Sequence, residues 1–128
     1  MRMRTFLPLV LLLLLGASSL LQAQQRLQPF TVHGRLNLCN GGWGAKIWIV
    51  GTRRILLVHW ADVEVLDMPK ALISMLSTPD KDREIFADFV VAPLTAYKEG
   101  YAQEVRVTSA SNIVVVEGGK VIMVRRSL

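Results

Sequence analysis

The most reactive side chains in this 128-residue sequence are one cysteine and two histidines, Cys39, His33 and His59. A cysteine with an adjacent histidine can act as a nucleophile, because the imidazole withdraws the thiol proton. The same three side chains are also of the types that bind zinc. Both chemistries require the side chains to lie close together, so the elements that carry them decide whether either is available.

Cys39 follows a segment in which apolar and polar residues alternate. From Phe30 to Leu38 the apolar side chains and Gly34 fall on even positions, and the polar side chains fall on odd positions. A period of two predicts a half-buried β-strand. The asparagine and glycines of residues 40–44 predict a turn, and a second strand is predicted from Ala45 to Val50.

The rest of the chain has the pattern of further strands and one short helix. Asp67 and Pro69 are typical of a helix start, and the apolar residues of segment 72–76 fit a short amphipathic helix. Gly118 and Gly119 lie between two β-rich arms and predict a type I′ hairpin over residues 114–124. The other predicted strands are Ile55 to Trp60, Ile85 to Pro93 and Gln103 to Ser109.

The predicted order is three strands, a short helix, two strands and a C-terminal hairpin. This order is similar to that of an OB-fold barrel, in which a helix lies between the third and fourth of five strands. The similarity covers residues 29–110 at the level of element order. The prediction is therefore a mainly β protein with a small OB-like barrel, and a β-sandwich is the alternative.

Pairing of the first three strands as hairpins fixes which side chains share a face. With Leu38 opposite Ala45 and Val50 opposite Ile55, the even-numbered residues of the first strand face the core, and Trp60 is predicted to lie in the core. The odd-numbered residues of the first strand share an outer face with residues of the next two strands, and half of this face is apolar. The residues from the next two strands are Trp48, Val50, Ile55, Leu57 and His59. We expect another part of the molecule to cover this face.

This register separates the reactive side chains. His33 and Cys39 lie on one strand at a spacing of about 20 Å, at ~3.3 Å per residue, and His59 lies two strands away from either. We therefore predict no metal site, no cofactor and no catalytic residue, and we expect the protein not to be an enzyme. The alternative is a small exported enzyme or metal-binding protein that uses Cys39, His33 or His59.

Aromatic and cationic side chains give a more specific hypothesis. Arg35 lies opposite Trp48 in the predicted register and can stack its guanidinium on the indole, with Lys46 and His59 beside the pair. Trp43 lies in the glycine-rich turn. The five residues are candidate binding residues for a protein, or for a saccharide or peptidoglycan ligand. Alternatively, Trp48 packs under the C-terminal hairpin and Trp43 caps the barrel over the cysteine.

The first residues have the pattern of a secretory signal peptide. Arg2 and Arg4 precede the apolar segment 6–15, which is followed by small residues. We predict a signal peptide over residues 1–23 with cleavage after Ala23, and a single β-rich domain over residues 24–128. An uncleaved N-terminal anchor is the alternative, although the apolar segment is shorter than the ~20 residues that span a bilayer.

Charge and cysteine content narrow the partners. The chain carries 15 Lys and Arg against 10 Asp and Glu, and loss of Arg2 and Arg4 with the signal peptide leaves a net charge of +3. The cations are scattered, so we expect no nucleic-acid partner. A single cysteine excludes an internal disulfide. We predict a periplasmic or secreted, non-catalytic binding or protein-interaction module that contacts the membrane only transiently, through its signal peptide.

Overall fold

The structure, a computed structural model, describes residues 27–39, 44–62, 65–76 and 82–128. The predicted signal peptide lies outside these ranges. The described chain is mainly β, as predicted. The elements in chain order are β1 (Phe30–Leu38), β2 (Ala45–Ile49), β3 (Ile55–Val58), β4 (Trp60–Asp62), β5 (Val65–Leu66), α1 (Lys70–Leu76), β6 (Arg83–Pro93), β7 (Gln103–Glu117) and β8 (Lys120–Ser127).

Six strands form one sheet in the order β3-β2-β1-β6-β7-β8. β3 also pairs in parallel with the start of β7, where Leu56 is opposite Gln103 and Leu57 is opposite Glu104. This pairing, called the seam below, closes five strands into a barrel and leaves β8 as an extension of the sheet. Because α1 lies between β3 and β6 in the chain, the prediction of a small OB-like barrel is confirmed.

Strand alternation places the core inside the barrel. The sequence assigned the even-numbered side chains of β1 and their neighbours on β2 to the core. Among them, Leu36 and Ala45 are fully buried. On β6 the alternate residues Ile85, Ala87 and Phe89 are also fully buried. Each strand therefore presents one face to the core and the other to the outside, as a period of two requires.

The register of the first hairpin is as predicted, with Leu38 opposite Ala45. The second hairpin differs, because Ile55 lies opposite Trp48 and not opposite Val50. The turn is longer than predicted, since the Thr52 hydroxyl donates to the Ile49 carbonyl at 2.8 Å and accepts from the Arg54 amide at 3.0 Å. The shift is two residues, so the side chains of β2 and β3 keep their predicted faces.

Gly34 allows β1 and β2 to approach closely. A Cβ atom at this position would overlap Ile47 Cγ2 and lie 3.2 Å from the Trp48 carbonyl oxygen. The alternating pattern assigned Gly34 to the core face, and the structure gives the reason for the missing side chain. The space that a side chain would need is occupied by β2.

The predicted helix is present as α1, which buries Leu72, Met75 and Leu76. The Arg83 guanidinium donates to the Met75 carbonyl at 3.2 Å and so satisfies one acceptor near the helix end. Asp67 does not cap the helix. Its carboxylate instead accepts from Arg106 Nε at 2.8 Å. In the described ranges no helix combines the length and the apolar character needed to cross a membrane.

Trp60 is not in the core, and that prediction is wrong. The side chain is 39% exposed, because β3 ends at Val58 and Trp60 begins β4, which pairs with β5 in a separate two-stranded sheet. The apolar run that predicted one strand from Ile55 to Trp60 therefore spans the end of one strand and the start of another.

β7 also differs from the prediction. The predicted strand that ended at Ser109 and the first arm of the C-terminal hairpin are one continuous strand of 15 residues. Asn112, which has a φ of 51°, lies where the pairing with β6 is irregular, and asparagine tolerates this left-handed conformation. The hairpin turn is confirmed as type I′, since Gly118 and Gly119 have φ values of 56° and 79°.

Candidate ligand-binding surface

The predicted contact between Arg35 and Trp48 is present on the outside of the barrel. The two residues are opposite each other in β1 and β2, and Arg35 Cζ lies 5.1 Å from the centroid of the indole. Trp48 Nε1 donates to the Thr52 carbonyl at 2.7 Å. The partly buried indole is therefore held in one orientation by a cation–π contact and a hydrogen bond.

The C-terminal hairpin does not pack its second strand over this face. Every side chain of β8 is exposed, and β8 pairs with β7 at the end of the sheet.

Two further predicted binding residues are Lys46 and Trp43. Lys46 lies two residues before Trp48 on β2, opposite Asn37 and Leu57, while Trp43 lies outside the described residues.

His59, another predicted binding residue, makes a side-chain contact at the seam. Its Nε2 atom lies 3.0 Å from Glu104 Oε1, and Glu104 is one of the β7 residues that pair with β3. The contact therefore ties the end of β3 to β7 across the closure of the barrel.

His33 and Cys39 also have separate surroundings. His33 Nδ1 lies 2.9 Å from Asp88 Oδ1, and Asn112 Nδ2 donates to the second oxygen of Asp88 at 2.9 Å. The hydrogen bond from Asn112, and then that from His33, lower the pKa of the Asp88 carboxyl against the opposing effect of desolvation. This exposed cluster stabilises a carboxylate.

Burial raises the pKa of the Cys39 thiol, with a smaller opposing effect from Lys46. The thiol is therefore favoured over the thiolate, which is the form that attacks substrates and binds metals. In the part of the chain that the structure describes, no group of three or more His, Cys, Asp and Glu side chains could hold a metal ion. The structure thus does not unite Cys39, His33 and His59.

A cavity of about 450 Å³ lies between the turn that joins β2 to β3 and the loop that joins β6 to β7. Two tyrosines of the loop line it, and both rings are open to solvent, since Tyr97 is 51% exposed and Tyr101 is 67% exposed. Its volume is within the range of about 300–1,000 Å³ typical of small-molecule sites. The lining residues are Arg53, Arg54, Ile55, Tyr97, Glu99, Gly100, Tyr101 and Ala102.

Each of the two tyrosines carries a cation against its ring. Arg54 Cζ lies 4.2 Å from the centroid of Tyr97, and Lys98 Nζ lies 4.5 Å from that of Tyr101. Arg54 is itself fixed, because its Nη2 atom donates to Oε1 of the buried Gln103 at 2.9 Å. The position of Tyr97 is therefore set by a guanidinium that is bonded to the barrel.

The cavity adjoins the face that carries Trp48. Ile55 lies opposite Trp48 and also lines the cavity, so apolar and aromatic surface continues from one to the other. We call Arg35, Trp48, Ile55, Tyr97 and Tyr101 together the aromatic surface. It combines three aromatic rings and one guanidinium group over three strands and one loop.

The sequence predictions included Arg35 and Trp48 but missed the tyrosines and the turn arginines. Two sequence features could have indicated this site. One is the segment 97–101, in which two tyrosines flank two charged residues and a glycine, and the other is the adjacent pair Arg53-Arg54. Nothing in the sequence indicates that two segments more than forty residues apart meet at one end of the barrel.

Comparison with known proteins adds no family to these observations. No protein-family model matches the chain, and neither a curated protein nor a solved structure matches it.

Proposed function

We propose that the protein is an exported, non-catalytic binding module whose aromatic surface holds an acidic oligosaccharide, such as a fragment of a peptidoglycan-like polymer. The observation that carries the proposal is the pair of exposed tyrosines, each with a cation on its ring, around a cavity of about 450 Å³. Export rests on the signal-peptide pattern of residues 1–23.

A saccharide suits the shape and chemistry of this surface. The apolar C–H faces of sugar rings can stack on tyrosine and tryptophan, whose rings bury large area with little loss of conformational freedom. Barrels of the OB type bind oligosaccharides and oligonucleotides on the face of their second and third strands and on adjoining loops. Trp48 and Ile55 lie on those two strands, and Tyr97 and Tyr101 lie on the loop before the last barrel strand.

The charges favour an acidic ligand. Arg53, Arg54 and Lys98 lie in the turn and the loop that form the cavity, against the single carboxylate of Glu99 in the same segments. Carboxylate groups on the ligand would find guanidinium donors at the cavity wall. Export separates the protein from cellular nucleic acid, so the saccharide is the preferred anion.

The test measures binding of acidic and neutral oligosaccharides by titration calorimetry. Replacement of Tyr97 and Tyr101 together by Ala should weaken binding by about 30-fold or more, as expected for loss of a binding hot spot of ~2 kcal/mol. Tyr101→Phe should retain most of the affinity, because the ring is kept. Leu94→Ala is the matched control, since Leu94 is an exposed residue of the same loop that does not line the cavity.

Two results would contradict the proposal. Unchanged affinity of the double tyrosine variant for the acidic oligosaccharide would show that the aromatic surface is not the binding site. Turnover of a saccharide that is abolished by Cys39→Ala, His33→Ala or His59→Ala would favour the enzymatic alternative.

A further inference from the structure

The last strand of the sheet carries an unusual amount of exposed apolar surface. β8 pairs with β7 and with no other described strand. Four consecutive apolar residues, 121–124, are between 41% and 73% exposed. Since successive side chains of a strand point to opposite faces, apolar groups are open to solvent on both faces of β8.

A strand at the edge of a sheet also presents unpaired N–H and C=O groups along its free side. These groups form a template for one further strand, and natural proteins usually protect such edges with charges, bulges or short strands. β8 is eight residues long. Its centre has no charged residue, so protection by charge is absent where the apolar residues lie. The pairing with β7 is irregular at Ile122, between the Val115–Met123 and Val116–Val121 pairs.

The charges at the two ends of β8 are all positive. Lys120 precedes the apolar residues, Arg125 and Arg126 follow them, and all three are exposed. The nearby Glu117 is opposite Lys120 in the hairpin and lies 3.4 Å from Arg83 Nε. The edge therefore offers an apolar centre with cationic ends.

In two registers that align the apolar residues, this arrangement disfavours a second copy of the chain. In an antiparallel pair of β8 strands with Val121 opposite Val124, Lys120 would lie opposite Arg125 at both ends. Shifting the pair to place Met123 opposite its own copy brings Lys120 opposite Arg126 instead. Like charges directly opposite each other destabilise a strand pair, whereas carboxylates at the same positions would stabilise it.

We propose that β8 docks an extended segment of another protein, which adds to the sheet as an antiparallel strand. From its N-terminus the segment has two carboxylate residues, four apolar residues and one further carboxylate residue. The first two face Arg126 and Arg125, and the last faces Lys120. Main-chain hydrogen bonds supply affinity, and the charges set direction and register. β8 contributes no residue to the aromatic surface, so this partner is independent of the saccharide.

The test uses synthetic peptides of this pattern, labelled for fluorescence anisotropy, with the full protein. The acidic peptide should bind at least about tenfold more tightly than the same peptide with Lys in place of its carboxylates, since three exposed ion pairs are exchanged for repulsions. A proline at the centre should abolish binding, because it removes a main-chain donor. The combined variant Arg125→Glu and Arg126→Glu should reverse the preference between the two peptides. Lys70→Glu, at an exposed cation of α1, is the control and should leave the preference for the acidic peptide unchanged.

Equal affinity for the acidic and basic peptides would overturn the proposal. So would sedimentation of the protein as a dimer that Val124→Lys converts to a monomer, because the edge would then belong to a second copy. Circular dichroism of each variant verifies that the barrel is folded. Saccharide binding should be unaffected by the changes in β8, which separates this proposal from the proposed function.

Discussion

Replacement of Gly34 by Ala tests the close approach of β1 and β2. The new Cβ atom would overlap Ile47 Cγ2, lie 3.2 Å from the Trp48 carbonyl oxygen and lie 3.5 Å from Phe89 Cδ2. Ile47 and Phe89 are fully buried, so neither side chain can swing into solvent. The methyl group must push β1 and β2 apart or force a neighbouring side chain from its preferred rotamer.

The expected cost follows from these contacts. Overpacking of a filled core costs about 1–3 kcal/mol, and the lower chain entropy of unfolded Ala relative to Gly returns about 0.4–1 kcal/mol. We expect a net loss of about 1–2 kcal/mol in the free energy of unfolding, measured by urea titration with tryptophan fluorescence and circular dichroism. Thr31→Ala, at an exposed position of β1, should change stability by less than about 0.5 kcal/mol.

A second substitution identifies the contact responsible. Leucine lacks the Cγ2 branch of isoleucine, so Ile47→Leu removes the atom that the new methyl group would overlap. In a double-mutant cycle the combined variant should be less destabilised than the sum of the single variants, by about 1 kcal/mol. The steric explanation would be refuted if Gly34→Ala left the free energy of unfolding unchanged. It would also be refuted if the effects of the two substitutions on this free energy were strictly additive.

Two further predictions rest on other parts of the structure, and a third rests on the sequence of residues 1–23. The Cys39 thiol, whose pKa is raised by burial, should react slowly with a thiol reagent at neutral pH and faster after unfolding. If Trp43 covers the cysteine, Trp43→Ala should speed the reaction in the folded protein. Asn112→Gly, which keeps the left-handed backbone accessible, should move the pKa of Asp88 back up towards its ordinary value in a carboxyl NMR titration, because the main hydrogen bond that lowers it is lost. The stabilisation by Asp88 is complete above the ordinary pKa of the carboxyl and is lost as the pH falls through the lowered value, so Asn112→Gly should flatten the acid limb of the stability profile. N-terminal sequencing of protein from the extracytoplasmic fraction should begin near Gln24, whereas a chain that retains its first residues in membranes would indicate an anchor.

Local patterns predicted those features that local physics determines. The alternation around Gly34 identified the buried face of β1, and two adjacent glycines identified the last hairpin turn. The first hairpin register, with Leu38 opposite Ala45, follows from a short turn and a single apolar face. These features depend on residues that are near one another in the chain.

The errors arose where the decisive contacts are distant in the sequence. Trp60 belongs to an apolar run, yet the chain leaves the barrel before it because β3 ends at the seam. Asn112 has turn chemistry, yet pairing of β7 with both β6 and β8 carries the strand through it. Tyr97 became part of a candidate site only because Arg54, fixed by Gln103, reaches it from another turn.

The seam has a consequence for the motions of the barrel. Closure of the sheet rests on two residue pairs between β3 and β7 and on the side-chain bonds of Arg54 with Gln103 and of His59 with Glu104, which join residues 49 and 45 positions apart in the chain. β1 and β6, by contrast, are paired along seven residues. We therefore expect transient parting of the seam to expose the barrel interior at a lower free-energy cost than global unfolding. Amide hydrogens of β3 and of the first residues of β7 should exchange with deuterium while those at the centre of β6 stay protected, and the barrel would admit solvent along one line of its wall.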